Sequence, residues 1–585
     1  MSEIKEVVRG GSFIIPGDVL AEIFTIADLT EEQVMIRKML NEFMTDNVIT
    51  DEAVRRIEGK DWDFTRKLLL ELGKLGVLGA EVPEEYGGQG LDKVSGAVIA
   101  EGVAKQGSFA CTFLAHTGIG TLPIRFFGTE EQKRKYLSKL TSGEWVAAYS
   151  LTEVGAGSDA NNVKTRAMLS SDGSHYIFNG EKKFVTNGGF ADVYTVFAKI
   201  DGEDKITAFI VERGFSGVTV GKEEHKLGIQ GSSTSDLVFQ DAIVPVENLL
   251  GERGRGFKIA VNILNLGRFK LGAACLGAGR MCLDEALKYS KDRKQFGQPI
   301  CNFGVIRQKL AQMAVKNYAM ESMVYRLAGH LEEAIGRVDT KDSKAVLDAI
   351  EEFVVECSLT KIFCSEALDE VVDENVQIHG GSGFCEGNPE RHYRDSRINR
   401  IFEGTNEINR MLLVGMLLKK SSVMMQIGAL GKKIVEETMA PSLQSESEDM
   451  MDRLFGYLNG TKKSFLIVCD CVNDKFLPIL DNGKELTKHQ IVLVALADCL
   501  IEIYKLDSVL RVAQKNRNDL NDRMTRLVFS DSLFTVDRLI KELLIMCSDG
   551  DNQRTRLAMI RRLIKFTPEN KEDLCNEIAE KLLAS

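Results

Sequence analysis

The stretch Arg400-Ile401-Phe402-Glu403-Gly404-Thr405-Asn406 decides how the rest of the 585-residue chain is read. Ile401 and Phe402 read as core-facing, and Glu403 is a single carboxylate set between them and Gly404. Partial burial raises a carboxylate's pKa, which suits a general base working near neutral pH. Gly404 has no Cβ, so the backbone there turns sharply and lets a ligand come close. Thr405 reads as the cap of a helix, with Glu407 to Leu413 helical. By itself the stretch fits a surface glutamate beside a helix cap better than it fits a base.

Four further stretches change that weighting. Leu151-Thr152-Glu153-Val154-Gly155-Ala156-Gly157-Ser158-Asp159 is a small-residue loop after a β-like run, able to aim N–H groups and hydroxyls at a phosphate. Phe184-Val185-Thr186-Asn187 sets an aromatic face beside a hydroxyl. Arg293-Lys294-Gln295-Phe296-Gly297 and Gln377-Ile378-His379-Gly380-Gly381-Ser382-Gly383-Phe384 follow. Each alone fits a turn, a core aromatic or a solvated helix end. Together and in this order, the five stretches strongly resemble the acyl-CoA dehydrogenase family, from about Leu29 to about Leu418. A helical-looking segment beyond makes the very-long-chain branch the nearest likeness.

The resemblance implies a fold that is mostly α with a β domain. Its parts are an N-terminal arm and helical domain at 1–145, a middle β-barrel or sandwich at 146–255, a helical bundle carrying the base at 256–420, and a C-terminal helical extension at 421–585. It implies FAD-dependent α,β-dehydrogenation of medium- to very-long-chain fatty acyl-CoA to trans-2-enoyl-CoA, a step of β-oxidation. Glu403 takes the α-proton, and flavin N5 accepts the β-hydride. The Glu403 N–H and a ribityl hydroxyl of FAD form an oxyanion hole in this scheme.

By the same resemblance, Thr152 and the backbone of Tyr149 and Leu151 meet the flavin ring, and Ser158 meets the pyrophosphate and substrate. Phe184 stacks on the ring, where many members carry Trp, and Thr186 donates toward N5. Arg293, Phe296, Gln377, Gly380 and Gly381 reach the FAD of the neighbouring subunit, and Thr405 and Glu407 belong to the cofactor set. Asn265, Arg268, Phe402 and Gly404 are placed against the acyl-CoA, and His379 reads as a packed residue. The implied partners are an electron-transfer flavoprotein and a second copy of the chain, as a homodimer or dimer of dimers. Two rival readings are an acyl-CoA oxidase and a flavin-binding assembly protein with little turnover.

Composition agrees with a multidomain globular chain: 44% hydrophobic, 27% charged. A net charge of −11 argues against general nucleic-acid binding. The 12 cysteines are scattered without CxxC pairs, which favours reduced thiols in a cytoplasmic setting and no metal site. Met1 to Glu6 carries acids early and lacks an apolar run, unlike a targeting peptide. Gly251-Glu252-Arg253-Gly254 does not sit as a Rossmann fingerprint, so the flavin site is read as non-Rossmann.

Local signals set the expected elements. Capping boxes open helices at Thr30 and Thr129, and further helices are expected at Asp63–Leu75 and Lys93–Lys105. Short β runs from Tyr176 to Pro245, separated by Asn179-Gly180 and Asp201-Gly202-Glu203-Asp204, predict a small, mostly antiparallel sheet. Helices return after Gly256: a long amphipathic pattern begins at Leu271 and runs to about Asp292, followed by Val305 to about Glu333 and Lys344 to about Val372. Polar breaks in the tail fall at Ser442–Asp449, Asp481–Gly483 and Ser548–Asp551, and Ile491 to Leu500 reads as a buried helix. Arg554, Arg556, Arg561, Arg562 and Lys565, interleaved with apolar residues, read as a docked helix with a basic face, with peripheral membrane contact as the other possibility.

Overall fold

The computed structural model describes residues 8–17, 22–439, 447–476, 486 and 488–584. The expectations for Met1–Glu6, for most of Ser442–Asp449 and for Asp481–Gly483 lie outside the described residues.

Thr30 opens α1 (Glu31–Asn47) through a reciprocal box with Gln33, and Thr129 does the same for α7 (Glu130–Ser142) with Gln132. Between them run α2 (Asp51–Glu58), α3 (Trp62–Lys74), α4 (Lys93–Val103), α5 (Gly107–Leu114) and α6 (Leu122–Phe127). One π turn, Ala115–Gly120, joins α5 to α6. A Cβ at Gly120 would lie 2.8 Å from the Ala147 Cβ, so this glycine lets the turn press against the first strand. His116 fastens the same junction. Its Nδ1 accepts from the Ala147 N–H (3.0 Å), and its Nε2 faces the Leu140 carbonyl (3.0 Å).

The middle region is a single sheet. Strands β1 (Ala147–Ser150), β2 (Arg166–Leu169), β3 (His175–Thr186), β4 (Val193–Ile200), β5 (Ile206–Glu212), β6 (Val218–Glu223), β7 (Thr234–Pro245) and β8 (Leu249–Leu250) lie in the order β6-β7-β3-β2-β4-β5-β8, with β1 added on β4. The β1–β4 and β2–β4 pairings are parallel and the others antiparallel. Asn179-Gly180, expected as a turn, is a bulge inside β3. The Asn179 side chain exchanges hydrogen bonds with Asp241 on β7 (2.9 and 3.0 Å), so the chain continues through it as strand.

The bundle begins with α8 (Gly256–Asp292), 37 residues long and largely buried. By length and composition alone α8 is apolar enough to cross a membrane, and here it is the central core helix. It is followed by α9 (Gly304–Ile335), α10 (Ser343–Glu351), α11 (Val354–His379), α12 (Gly381–Phe384), α13 (Asn388–Ser396) and α14 (Asn406–Lys419). The single helix expected over Lys344–Val372 is two helices, broken at Glu352–Phe353. The break frees the Glu352 carbonyl for Lys420 Nζ (2.6 Å), while its carboxylate takes the Gly10 N–H (2.9 Å) of the N-terminal arm.

The described tail comprises α15 (Ser421–Met439), α16 (Met450–Phe476), α17 (Gln490–Lys515), α18 (Asp519–Cys547), α19 (Gly550–Leu563) and α20 (Lys571–Ala584). It shares one hydrophobic core with the bundle. Three cations from three helices, Arg326 (2.8 Å), Lys462 (2.8 Å) and Arg511 (2.7 Å), meet on the buried Asp507 and hold its carboxyl far below the usual range. The basic segment is docked. Arg556 pairs with Asp470 at 3.0 Å, Met559 and Ile560 are buried, and Phe566 packs edge-on against Tyr457 and Phe534. All 12 cysteines are free thiols.

Candidate active site

The loop Ile401–Thr405 is held by its backbone carbonyls. Arg268 Nε donates to the Glu403 carbonyl (3.1 Å), and Asn409 Nδ2 reaches the Glu403 (3.2 Å), Gly404 (2.7 Å) and Thr405 (3.2 Å) carbonyls. Lys361 Nζ, from α11, donates to the Gly404 carbonyl (2.9 Å) and to Asn406 Oδ1 (2.7 Å). Thr405 caps α14, its hydroxyl accepting from the Ile408 N–H at 3.2 Å. Glu407 is exposed on the first turn. This clamp fixes Glu403 at φ +58° and Gly404 at φ +81°. A left-handed backbone at a non-glycine residue is strained and persists only where its surroundings over-determine it.

Glu403 is half-buried as a residue, but its Oε2 is cut off from solvent and has no hydrogen-bond partner among the described residues. Burial pushes its carboxyl up to about 7, against the opposing pull of the Arg268 and Lys361 cations. The carboxylate lies across α8 at Gly267, where an added Cβ would be 2.7 Å from Glu403 Cδ. Burial brings Lys361 down to about 8. The Tyr149 phenol is pushed well above its usual range, mainly by burial and then by Glu403, and its hydroxyl also lacks a partner among the described residues.

Phe402 lines a cavity of about 70 Å³ with Ala104, Ala110, Leu271, Ala274 and Leu368. Ile401, expected in the core, is 48% exposed, because the tight turn at Glu403–Gly404 sends it outward. Arg268 and Asn265 are both buried. Arg268 Nη1 donates to Asn265 Oδ1 (2.8 Å), and the Asn265 amide nitrogen has no partner among the described residues. Arg268 therefore holds the Glu403 backbone, with Asn265 behind it.

The other predicted segments are built differently. Loop 151–159 is anchored around Glu153, which is buried, its Oε1 receiving Lys182 Nζ (2.7 Å) and Thr165 Oγ1 (2.6 Å), while Lys182 also donates to the Leu151 carbonyl (3.2 Å). Beyond it Val154, Gly155, Gly157 and Ser158 are exposed, and a Cβ on either glycine would meet nothing within 4 Å. Thr152 is half-buried beside the anchor, its carbonyl accepting from the Lys183 N–H (2.8 Å). Phe184 is 61% exposed with φ +57°, so it is not a core aromatic. Thr186 reaches Cys111, which lines the cavity beside Phe402.

Arg293 ends α8, and Lys294–Gln295 pairs with Gln298–Pro299 in a hairpin turned by Phe296 and Gly297 at φ +53° and +80°. Phe296 is 92% exposed. Gln377, Gly380 and Gly381 are exposed at the end of α11. Stacking of Tyr289 on His379 at 4.1 Å brings the ends of α8 and α11 together, and His379 is packed there. Among the described residues seven non-glycine positions have positive φ, and Phe184, Asn187, Phe296 and Glu403 fall in the predicted segments.

Family models match in chain order: the acyl-CoA dehydrogenase N-terminal domain at 30–144, middle domain at 148–242 and C-terminal domain at 254–418, with another acyl-CoA dehydrogenase C-terminal domain at 460–562. A Bacillus subtilis protein named "Probable acyl-CoA dehydrogenase" is 42% identical over 97% of this chain and 96% of its own. The chain belongs to the acyl-CoA dehydrogenase family. The human mitochondrial very long-chain specific acyl-CoA dehydrogenase is 37% identical over 84% of this chain and 76% of its own. A crystal structure titled as a Bacillus anthracis acyl-CoA dehydrogenase complexed with FAD superposes with a TM-score of 0.94 at 44% identity, covering 99% of both chains. In this acyl-CoA dehydrogenase, sequence reasoning missed Gly267, Lys361 and Asn409. Lys361 carried a signal, as a lone cation in the apolar run Leu359-Thr360-Lys361-Ile362-Phe363, and Gly267 carried none.

Proposed function

We propose that the chain is an FAD-dependent oxidoreductase that removes hydrogen across Cα–Cβ of a medium- to very-long-chain fatty acyl-CoA, leaving the trans-2-enoyl-CoA. The observation that carries this reading is the Glu403 carboxylate: strained into place, held near neutral pKa, and next to an apolar cavity. The flavin-side residues fit the cofactor. Gly155 and Gly157 leave open backbone beside the Ser158 hydroxyl, Phe184 offers a free aromatic face, and the Tyr149 and Ser150 hydroxyls are buried without partners among the described residues. FAD, when bound, supplies the hydride acceptor for the β-carbon.

Glu403 takes the α-proton onto a carboxylate oxygen. A pKa near 7 matches a base that is largely free at physiological pH yet still basic enough to act on carbon. Among the described residues no acceptor takes the Glu403 N–H, which is free to receive the thioester oxygen as negative charge develops there. The acyl chain enters the cavity past Phe402, between α5, α8 and α11. The hairpin at Phe296 and the Gly380–Gly381 turn lie together and exposed, which supports a homodimer in which Arg293, Phe296 and Gln377 serve the partner's cofactor. Electrons then leave to an electron-transfer flavoprotein, in a cytoplasmic setting that suits the free thiols.

Anaerobic mixing of the yellow protein with octanoyl-CoA and palmitoyl-CoA tests this. Bleaching of the flavin band is expected, and the faster substrate gives the chain-length class. An FAD-loaded protein that no acyl-CoA bleaches would overturn the reading, and rapid return of colour in air would make it an oxidase.

A further inference from the structure

A continuous run of hydrogen bonds joins the C-terminal extension to the base loop. Asp498, on α17, accepts from Arg410 Nε at 2.7 Å. Arg410, on α14, turns the other edge of its guanidinium to Glu366 of α11, with Nη1–Oε1 2.7 Å and Nη2–Oε2 2.9 Å. Glu366 Oε1 accepts from Asn406 Nδ2 (2.9 Å), which also donates to Ser365 Oγ (3.0 Å). Asn406 Oδ1 receives Lys361 Nζ, and Lys361 holds the Gly404 carbonyl. Asn406 is thus the first helical residue of α14 and the link between the clamp and the tail.

We propose that Asp498 is a positioning residue for Glu403: the extension braces the base loop through Arg410, Glu366 and Asn406. A guanidinium held on both edges cannot rotate, and bidentate pairing fixes its plane. With the Asp498 edge released, Arg410 is free to turn, Glu366 loses its fixed partner, and Asn406 no longer has one position from which to hold Lys361. Glu403 sits in a strained conformation held by these restraints, so slack in the network reaches the carboxylate. This inference rests on the reading of Glu403 as the base.

The test uses the full-length holoprotein carrying Asp498→Asn, which keeps shape and removes charge, and Asp498→Leu, which removes both. Deuterium exchange of peptides covering 400–409 is expected to speed up about fivefold in both, a coupling ordinary for linked charges. Exchange in α20, at the far end of the tail, should not change. The same variants should reduce flavin anaerobically more slowly, with the midpoint of the pH–rate curve moved below the value for the parent protein. That shift is expected because water reaching Glu403 relieves the burial that raises its pKa, while Arg268, Lys361 and Tyr149 still face it. Asp498→Glu should recover part of both effects, and Glu542→Gln, at an exposed tail pair with Arg538, should show neither.

Unchanged exchange at 400–409, or faster exchange with an unmoved pH midpoint, overturns the brace, because a merely structural contact would loosen the tail without retuning the base. If the parent protein is not reduced by any acyl-CoA, it is the base reading that fails, and the exchange measurement alone then decides the brace.

Discussion

The base loop Ile401–Thr405 and the flavin-side loop Leu151–Asp159 are opposites. In the first, three consecutive carbonyls are taken by Arg268, Asn409 and Lys361, and the backbone is pinned in a strained shape. In the second, one buried pair, Glu153–Lys182, anchors the near end, and the glycines and Ser158 beyond it face open space. The surrounding side chains satisfy the first loop, which carries the proposed base. The second leaves its outer glycines and Ser158 open to solvent. On the proposed reading, the loop that carries the base is preorganised, and the loop that meets the cofactor offers open backbone and a hydroxyl.

The contrast can be broken most sharply at Glu403 itself. Glu403→Gln should keep bound FAD and lose about a thousandfold or more in turnover, the scale of a general base, measured by acyl-CoA-dependent flavin reduction. The same variant should be more stable than the parent above pH 7. A carboxyl whose folded pKa is raised to about 7 favours the fold below the ordinary carboxylate range and loses that contribution as pH rises through 7. Melting scans at pH 5 and pH 8 check the sign, with the gap between variant and parent widening at pH 8.

Gly267→Ala sharpens the contrast by separating stability from activity. The new methyl would stand 2.7 Å from the Glu403 carboxylate, a flexible side-chain end that can swing away, while alanine is favoured over glycine inside a helix by about 1 kcal/mol. The melting temperature should hold or rise while flavin reduction slows by roughly ten- to a hundredfold, the penalty of a misplaced reacting group. Lys361→Met removes a cation that pulls Glu403 down, so the pH–rate midpoint should climb above 7. Reduction at pH 7 should fall about tenfold for each unit of that climb and recover in part at pH 9. The smallest effect belongs to the open loop. Gly157→Ala fills space that only a ligand needs, so FAD should bind about fivefold more weakly while the apoprotein melts unchanged.

Local signals made the elements legible: Thr30 with Gln33 and Thr129 with Gln132 form the capping boxes their spacing announces. Breaks set by distant partners were not legible. Helical periodicity runs straight through Phe353, and only Lys420 and the arm at Gly10 explain the break beside it. Asn179-Gly180 has turn chemistry, yet Asp241, 62 residues on, turns it into a bulge. The site shows the same division. Glu403 was singled out by the five stretches taken together, whereas Lys361 lies on another helix and joins the loop only through tertiary packing. Arg268 was read as a substrate contact by resemblance, and its hold on the Glu403 carbonyl, 135 residues on, left no local signal.

His116 gives the molecule an acid-labile seam. Burial drives its imidazole down to about 4, so it stays neutral in ordinary buffers, with Nδ1 as the acceptor of the Ala147 N–H. A second proton on the ring would place two donors face to face at the start of β1. The unfolded chain takes up that proton near pH 6.5 and the folded one only near 4, so stability drains away across that interval as acid is added. The seam between the helical N-terminal region and the sheet therefore loses part of its stability as acid is added below pH 6.5.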